Sequence, residues 1–399
     1  MTKTAYVIDA LRSPVGKFGG SLATVRPDDL AADVIKALMQ KHPEIDWSEI
    51  EDVILGAANQ AGEDNRNVAR MASLLAGLPV GVPGVTVNRL CASGLQAIMD
   101  AAKGIMLGLG DLYIAGGVES MTRAPFVMAK ANSPYDRNVE IYDTSIGWRF
   151  TNKKLASMYY PFAMGETAEN LVDKYGITRS EQDLFAHLSQ LKYDQAHKAG
   201  RFDDEIVKVR VERPKQEDLI FEKDEHPRLG TVEKLAGLSP AFKKGGSVTA
   251  GNSSGINDGA AMLLIASDEA VKRYNLKPMA MIKSMAAAGV PPEIMGIGPV
   301  PATKKALLRA GLSINDINLI ELNEAFASQA IACMRELDLN PDIMNVNGGS
   351  IAIGHPLGAS GARISATMLH QMQKSNSKYG LATMCIGVGQ GMALVYEKV

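Results

Sequence analysis

The chain has 399 residues, of which 46% are hydrophobic and 22% charged, with 38 glycines. That is a soluble globular composition, and the length implies two or more packed domains. A formal net charge of -2 with interleaved acidic and basic residues excludes nucleic acid or an anionic membrane surface as the main partner. Apolar stretches are broken by glycine, proline or charge before the roughly 18–20 residues that a membrane span requires.

The opening run Met1 to Ala10 lacks the basic-then-apolar layout of a signal peptide and reads as a first strand, so a cytoplasmic protein is expected. Tyr6-Val7-Ile8, Val53-Ile54-Leu55, Val85-Thr86-Val87 and Leu112-Tyr113-Ile114-Ala115 are predicted as buried strands. Ala31 to Met39 and Leu95 to Met106 are predicted as the helices between them, which makes an α/β layout. From about Arg123 to Val248 the pattern loosens, with more Pro, Asn, Asp and Lys, and this span is read as an inserted lobe. The α/β rhythm returns at Ala260 to Ile265. A weak internal repeat spans the insertion. Cys91 to Ile98 resembles Glu324 to Ile331, and Gly116 to Met121 echoes Gly387 to Met392, which suggests a duplicated unit.

Three cysteines, Cys91, Cys333 and Cys385, give no disulfide framework and no zinc spacing. Cys91 lies between a strand and a helix among the small residues Ala92, Ser93 and Gly94. A thiol there feels the positive end of the helix macrodipole, which favours the thiolate, although a buried core cysteine is the commoner outcome. Cys385 ends an apolar strand before the glycine-rich Gly387-Val388-Gly389-Gln390-Gly391, and Cys333 reads as core. His355, in Gly354-His355-Pro356, suits a base that takes a proton from a thiol. His42, His187, His197, His226 and His370 read as solvated side chains. Asn323 and Glu324 after the short strand Asn318 to Leu322 read most simply as helix caps, with a side-chain amide for an oxyanion as the functional alternative. Thr249 to Gly259 is either a tight loop and helix start or a polar cradle for a long thin ligand, and the residues alone leave these even.

Together these segments resemble the thiolase family along essentially the whole chain. The resemblance rests on Leu90-Cys91-Ala92-Ser93-Gly94, Gly116 to Met121, Asn323-Glu324-Ala325-Phe326, Gly354-His355-Pro356 and Cys385-Ile386-Gly387, which stand in the family's order. It implies two similar α/β halves in a five-layer αβαβα core. The first half would be residues 1–122 with 249–270 and the second 271–399, with a loop domain over 123–248 that binds coenzyme A. It implies an acetyl-CoA C-acyltransferase in which Cys91 is the nucleophile and His355 its base. Cys385 would be the second proton carrier. His355 and a water on Asn323 would form one oxyanion hole, and the N–H groups of Cys91 and Gly387 the other. For coenzyme A it points to Ser254 and Ala250 near the pantetheine, to Phe242, Met164, Met295, Ala325 and Phe326 along the tunnel, and to Arg228 at the nucleotide phosphates. Coenzyme A and acyl-CoA are then substrates, with no metal and no redox cofactor, and the family forms homodimers and homotetramers.

Ala163 stands where acetoacetyl-specific biosynthetic members carry a histidine, which favours a degradative enzyme taking larger acyl groups. Asn59 to Asn67, Arg123 to Met128 and Ile146 to Phe150 resemble 3-oxoadipyl-CoA thiolases, and Arg149 is the candidate cation for that substrate's free carboxylate. The competing readings are an acetoacetyl-CoA-forming acetyltransferase, a decarboxylating condensing enzyme, a cysteine hydrolase using Cys91, Asn323 and His355, a dithiol redox protein pairing Cys91 with Cys385, and a non-catalytic coenzyme A scaffold.

Overall fold

Uninterrupted runs of small and β-branched apolar residues become strands, and the residues between them carry helix-start chemistry. The protein is described by a computed structural model over residues 3–131 and 133–399. Its first portion contains β1 (Tyr6–Arg12), β2 (Gly16–Lys17), α1 (Pro27–Lys41), β3 (Ile50–Gly56), α2 (Val68–Ala76), β4 (Gly84–Val87), α3 (Ser93–Met106) and β5 (Leu112–Ser120). Then come two hairpins, β6 (Phe126–Met128) with β7 (Ile141–Asp143) and β8 (Val209–Val211) with β9 (Leu219–Phe221). Four helices share that span: α4 (Lys153–Met158), α5 (Met164–Tyr175), α6 (Arg179–Lys198) and α7 (Val232–Ala236). The last portion runs β10 (Asn257–Ala266), α8 (Asp268–Arg273), β11 (Ala280–Gly289), α9 (Pro299–Ala310) and β12 (Leu319–Leu322). It closes with α10 (Ala327–Leu337), α11 (Ser350–Ile353), α12 (Leu357–Ser375), β13 (Tyr379–Ile386) and β14 (Gln390–Lys398).

The strands lie in the order β4-β3-β5-β10-β1-β11-β14-β13-β12. The middle junction is narrow, because β1 and β11 meet only where Tyr6 and Val7 face Met281 and Ala280. On either side of it the order repeats. β1, β3, β4, β5 and β10 correspond to β11, β12, the bridge at Met344, β13 and β14. Within each half the neighbours β3–β5, β3–β4 and β12–β13 are parallel, and the rest of the ladder is antiparallel.

Alternation along the strands sorts side chains into layers. Val53, Leu55, Leu112, Ile114, Met262 and Leu264 face α1 and α2 in one apolar cluster. Ile54, Tyr113, Ala115, Ala261 and Leu263 point the other way, onto α3 and α12. Those two helices also receive Ala382, Met384, Met392, Leu394 and Tyr396 of the second sheet half. Its opposite face, with Leu381, Ala393 and Val395, packs on α9 and α10. The result is helix, sheet, helix, sheet, helix, the five-layer arrangement that the resemblance implies. Among the described residues no helix is long and apolar enough to cross a membrane.

The duplication is real, but the residues that suggested it are not equivalent. By strand order α3 matches α12 and α10 matches α2, so Cys91 to Ile98 and Glu324 to Ile331 occupy different places. Gly116 to Ser120 lies inside β5, whereas Gly387 to Gly389 turns between β13 and β14. The equivalent positions are those just before the two central helices, where Cys91 and His355 sit. Residues 257–259 begin β10 and do not start a helix. His370 is buried with Nε2 at 2.8 Å from the Ala10 carbonyl, so it is a satisfied core histidine and not a solvated one.

Candidate active site at the ends of the central helices

Cys91 sits two residues before α3, in a turn where Leu90 takes φ 47°. Across from it Val388 takes φ 63°, beside Gly387. A β-branched residue in the left-handed region is strained, and the strain sits where two turns face each other. The backbone N–H groups of Gly387 and of Cys91 itself are directed at the Cys91 sulfur. Burial nonetheless dominates and pushes the thiol up to about 11, with the Glu119 carboxylate adding to the rise. The thiolate that the helix terminus was expected to favour is therefore not the resting state. Cys385, at the end of β13, is buried, and burial, with the neighbouring Cys91 adding to it, raises its thiol well above the usual range. Cys333 is core, with its Sγ 3.2 Å from the Gly296 carbonyl.

His355 is positioned from several sides. Its N–H donates to Asn257 Oδ1 at 2.9 Å, and its Nδ1 lies 2.6 Å from Ser360 Oγ. Ser360 has one proton, which goes to the Pro356 carbonyl at 2.8 Å. Its oxygen must then accept from Nδ1–H, and the lone pair is left on Nε2. Burial, with Arg363 adding to it, drives His355 down to about 3, so the imidazole is neutral at physiological pH. Its Nε2 faces Asn323 Nδ2 at 3.5 Å.

Asn323 and Glu324 do not cap α10. The cap is Phe326, which makes no side-chain bond there. Asn323 Oδ1 instead accepts from Ser350 Oγ at 2.6 Å. Glu324 accepts from Ser189 Oγ, Asn345 Nδ2 and the Ile351 N–H, tying α6 and α11 to the strand end.

The residues assigned to coenzyme A fall in two groups. Met164, Met295, Ala325 and Phe326 pack in one cluster with Cys385. Phe242 joins them edge-on, its ring centroid 6.0 Å from that of Phe326. Gly165 matters here, because a Cβ at that position would overlap the Phe242 ring. Ser254 donates its N–H to the Ala325 carbonyl at 3.0 Å, which pins the 249–255 loop beside the cluster. Further out, Arg228 and Ala250 line a cleft of about 430 Å³ with His187, Gln190, Lys234 and Leu238. Arg228 also braces the loop, since its Nη2 donates to the Ala250 carbonyl at 2.7 Å. Arg149 follows Trp148, whose indole N–H is bonded to the Phe162 carbonyl at 3.0 Å, close before Met164.

Sequence reading missed the residues that hold these groups: Ser350, Ser360, Arg363, Asn257 and Glu119. Glu119 accepts the N–H groups of Ala58, Asn59 and Gly358 and so joins β5 to the turn after β3 and to α12. For Ser350 and Ser360 the available signal was polarity among small residues between Gly348 and Gly361.

Two family models match, "Thiolase, N-terminal domain" over residues 5–269 and "Thiolase, C-terminal domain" over 276–398. The beta-ketoadipyl-CoA thiolase of Pseudomonas aeruginosa is 55% identical over 402 residues, covering 100% of both chains. The structure of Bacillus anthracis acetyl-CoA acetyltransferase is similar with a TM-score of 0.94 at 43% identity, covering 100% of this chain and 99% of that one. Human mitochondrial 3-ketoacyl-CoA thiolase in complex with CoA gives 0.92 at 38% identity, covering 100% and 98%.

Proposed function

Because this chain belongs to the thiolase family and is an acyltransferase, we propose that it cleaves 3-oxoadipyl-CoA with coenzyme A, through an acyl group carried on Cys91. The reading is supported by a half-buried thiol with a second thiol beside it, and by a neutral imidazole with a free Nε2 lone pair just before the other central helix.

His355 Nε2 takes the Cys91 proton as the sulfur attacks the 3-keto carbon. The same nitrogen then carries an N–H and becomes a donor. The oxyanion on the attacked carbon is two bonds from the sulfur, so the Gly387 and Cys91 N–H groups directed at the sulfur would receive it. The bond between the α-carbon and the former keto carbon breaks. Negative charge moves onto the thioester oxygen of the departing acetyl-CoA, where His355 Nε2–H and Asn323 Nδ2–H, directly or through water, provide donors. Cys385 gives its proton to the α-carbon. Coenzyme A then returns a proton to Cys385, and its thiolate displaces the shortened acyl group from Cys91. Finally the Cys91 thiolate recovers the proton held on His355. Every proton is returned and no electron is exchanged, so the reaction as written needs neither metal nor redox cofactor.

Coenzyme A is assigned to the space from the 430 Å³ cleft at Arg228 and Ala250 past Ser254 to the Met164, Met295, Phe242, Ala325 and Phe326 cluster. The span 123–248 supplies part of that wall and is read as the loop domain, between the halves 1–122 with 249–270 and 271–399. The substrate choice is supported by the name of the Pseudomonas aeruginosa relative. Ala163 in place of a histidine supports it too, as does Arg149, whose neighbour Trp148 is bonded to Phe162 just before Met164. A cytoplasmic homodimer or homotetramer is part of the same proposal, supported by the edge strand β4, whose outer side has no strand partner among the described residues. A rate comparison tests the substrate. kcat/KM for 3-oxoadipyl-CoA should exceed that for a straight-chain 3-oxoacyl-CoA of equal length at least about tenfold, since one desolvated carboxylate–arginine pair sets the difference. Equal rates would remove the dicarboxylic substrate from the proposal.

A further inference from the structure

Behind Asn323 a directed chain of hydrogen bonds runs into the interior. Arg363, on α12 and 1% exposed, donates from Nη2 to Ser350 Oγ at 2.7 Å. Ser350 in turn donates to Asn323 Oδ1 at 2.6 Å. A guanidinium has donors only, so the Ser350 oxygen accepts from it, and the single Ser350 proton is committed to the next partner. An amide whose oxygen receives that proton must turn its Nδ2 the other way, toward His355 Nε2. Were the Ser350 hydroxyl free to rotate, it could accept from Nδ2 instead. The flipped amide would then aim a carbonyl at developing negative charge. Among the described residues Arg363 Nε and Nη1 have no protein partner, so its hydrogen bonding to protein is spent on Ser350. Buried Glu321 lies nearby, and burial pushes its carboxyl up to about 8 although Arg363 opposes the rise.

We propose that Arg363, acting through Ser350, is a positioning residue that sets the direction of the Asn323 amide, so that its N–H and not its carbonyl faces the reacting oxygen. This rests on the assignment of Asn323 as an oxyanion donor. Of Arg363, Ser350 and Asn323 only Asn323 is assigned to the substrate, so the effect of the other two must pass through it.

A double-mutant cycle tests it, with kcat, KM for coenzyme A, acylation of Cys91 and the thermal midpoint as readouts. Ser350→Ala should lower kcat at least about tenfold, with KM for coenzyme A within about twofold, as expected when an oxyanion donor is misdirected. In an Asn323→Ala background the same substitution should cost nothing further. An equal loss in both backgrounds, or no loss in either, overturns the inference. If Ser350→Ala does not fold, Arg363→Lys goes through the same cycle, and its loss too should vanish when Asn323 is absent. Wild-type protein that forms no acyl-Cys91 would instead overturn the reading on which the inference rests, and that outcome is separate from either result of the cycle.

Discussion

At Cys91 two influences oppose each other, and their magnitudes decide the chemistry. Two backbone N–H groups stabilise the thiolate, but burial raises the thiol to about 11 and outweighs them. His355, held near 3, is the neutral partner such a thiol requires. The resting pair is thus thiol and imidazole, and the ion pair forms only as substrate is attacked. Below about 11 the thiolate fraction rises tenfold per pH step, so alkylation of the free enzyme by iodoacetamide should keep accelerating from pH 7 through pH 10. A plateau at neutral pH in the observed rate, which an ion pair at rest would give, contradicts this. Cys91, His355 and Cys385 could be singled out from their neighbours in the chain, and the roles proposed for them follow from the family resemblance. The ionisation of Cys91 was not legible there, because it depends on residues such as Glu119 and Gly387 that only the fold brings near.

At the scale of elements, the site depends on how closely three segments approach. Glu119 in β5 takes the Ala58 and Gly358 N–H groups on Oε2 and the Asn59 N–H on Oε1. Burial pushes this carboxyl up to about 7, although the three N–H groups favour its ionised form. Glu119→Gln keeps one oxygen but turns an NH2 toward an N–H, losing a bond and opposing two donors. Chemical denaturation should show a loss of about 2 kcal/mol. A neutral outcome would mean that these bonds do not hold the turn and α12 together. Gly361 serves the same approach, because a Cβ there would stand 2.3 Å from the Leu95 nitrogen of α3. Strands and helices were readable from apolar runs, with β5 cut short at Ala115 because Gly116 and Gly117 look like a turn. Their true role is close packing: a Cβ on Gly117 would overlap the Gly358 carbonyl. The repeat was misaligned for a related reason. Small residues mark both a helix start and a close contact, and only strand order tells which helix matches which.

Across the whole molecule, the inserted span is locked to the sheet by a buried charge cluster. Arg12 of β1 is fully buried and donates from Nε to Glu205 at 2.5 Å and from Nη1 to Asp224 at 2.7 Å. Asp224 also accepts the Val15 N–H, and Glu205 accepts from Thr367 of α12. Arg12→Met leaves two carboxylates buried without their cation and should cost about 3–5 kcal/mol by denaturant titration. A loss under about 1 kcal/mol would show that the span stays docked by apolar contacts alone. The five-layer core was foreseeable from its resemblance to a family and from its strand periodicity. The cluster was not, since its members lie almost 200 residues apart in sequence. The central claim, that a carbon–carbon bond is cut by transferring an acyl group to one thiol, is tested most directly on the intact chain. Mass spectrometry after mixing with 3-oxoadipyl-CoA in the absence of free coenzyme A should show one acyl group added, located on Cys91 and absent from Cys91→Ala. Addition that persists in Cys91→Ala, or no addition to the unaltered protein, contradicts the account.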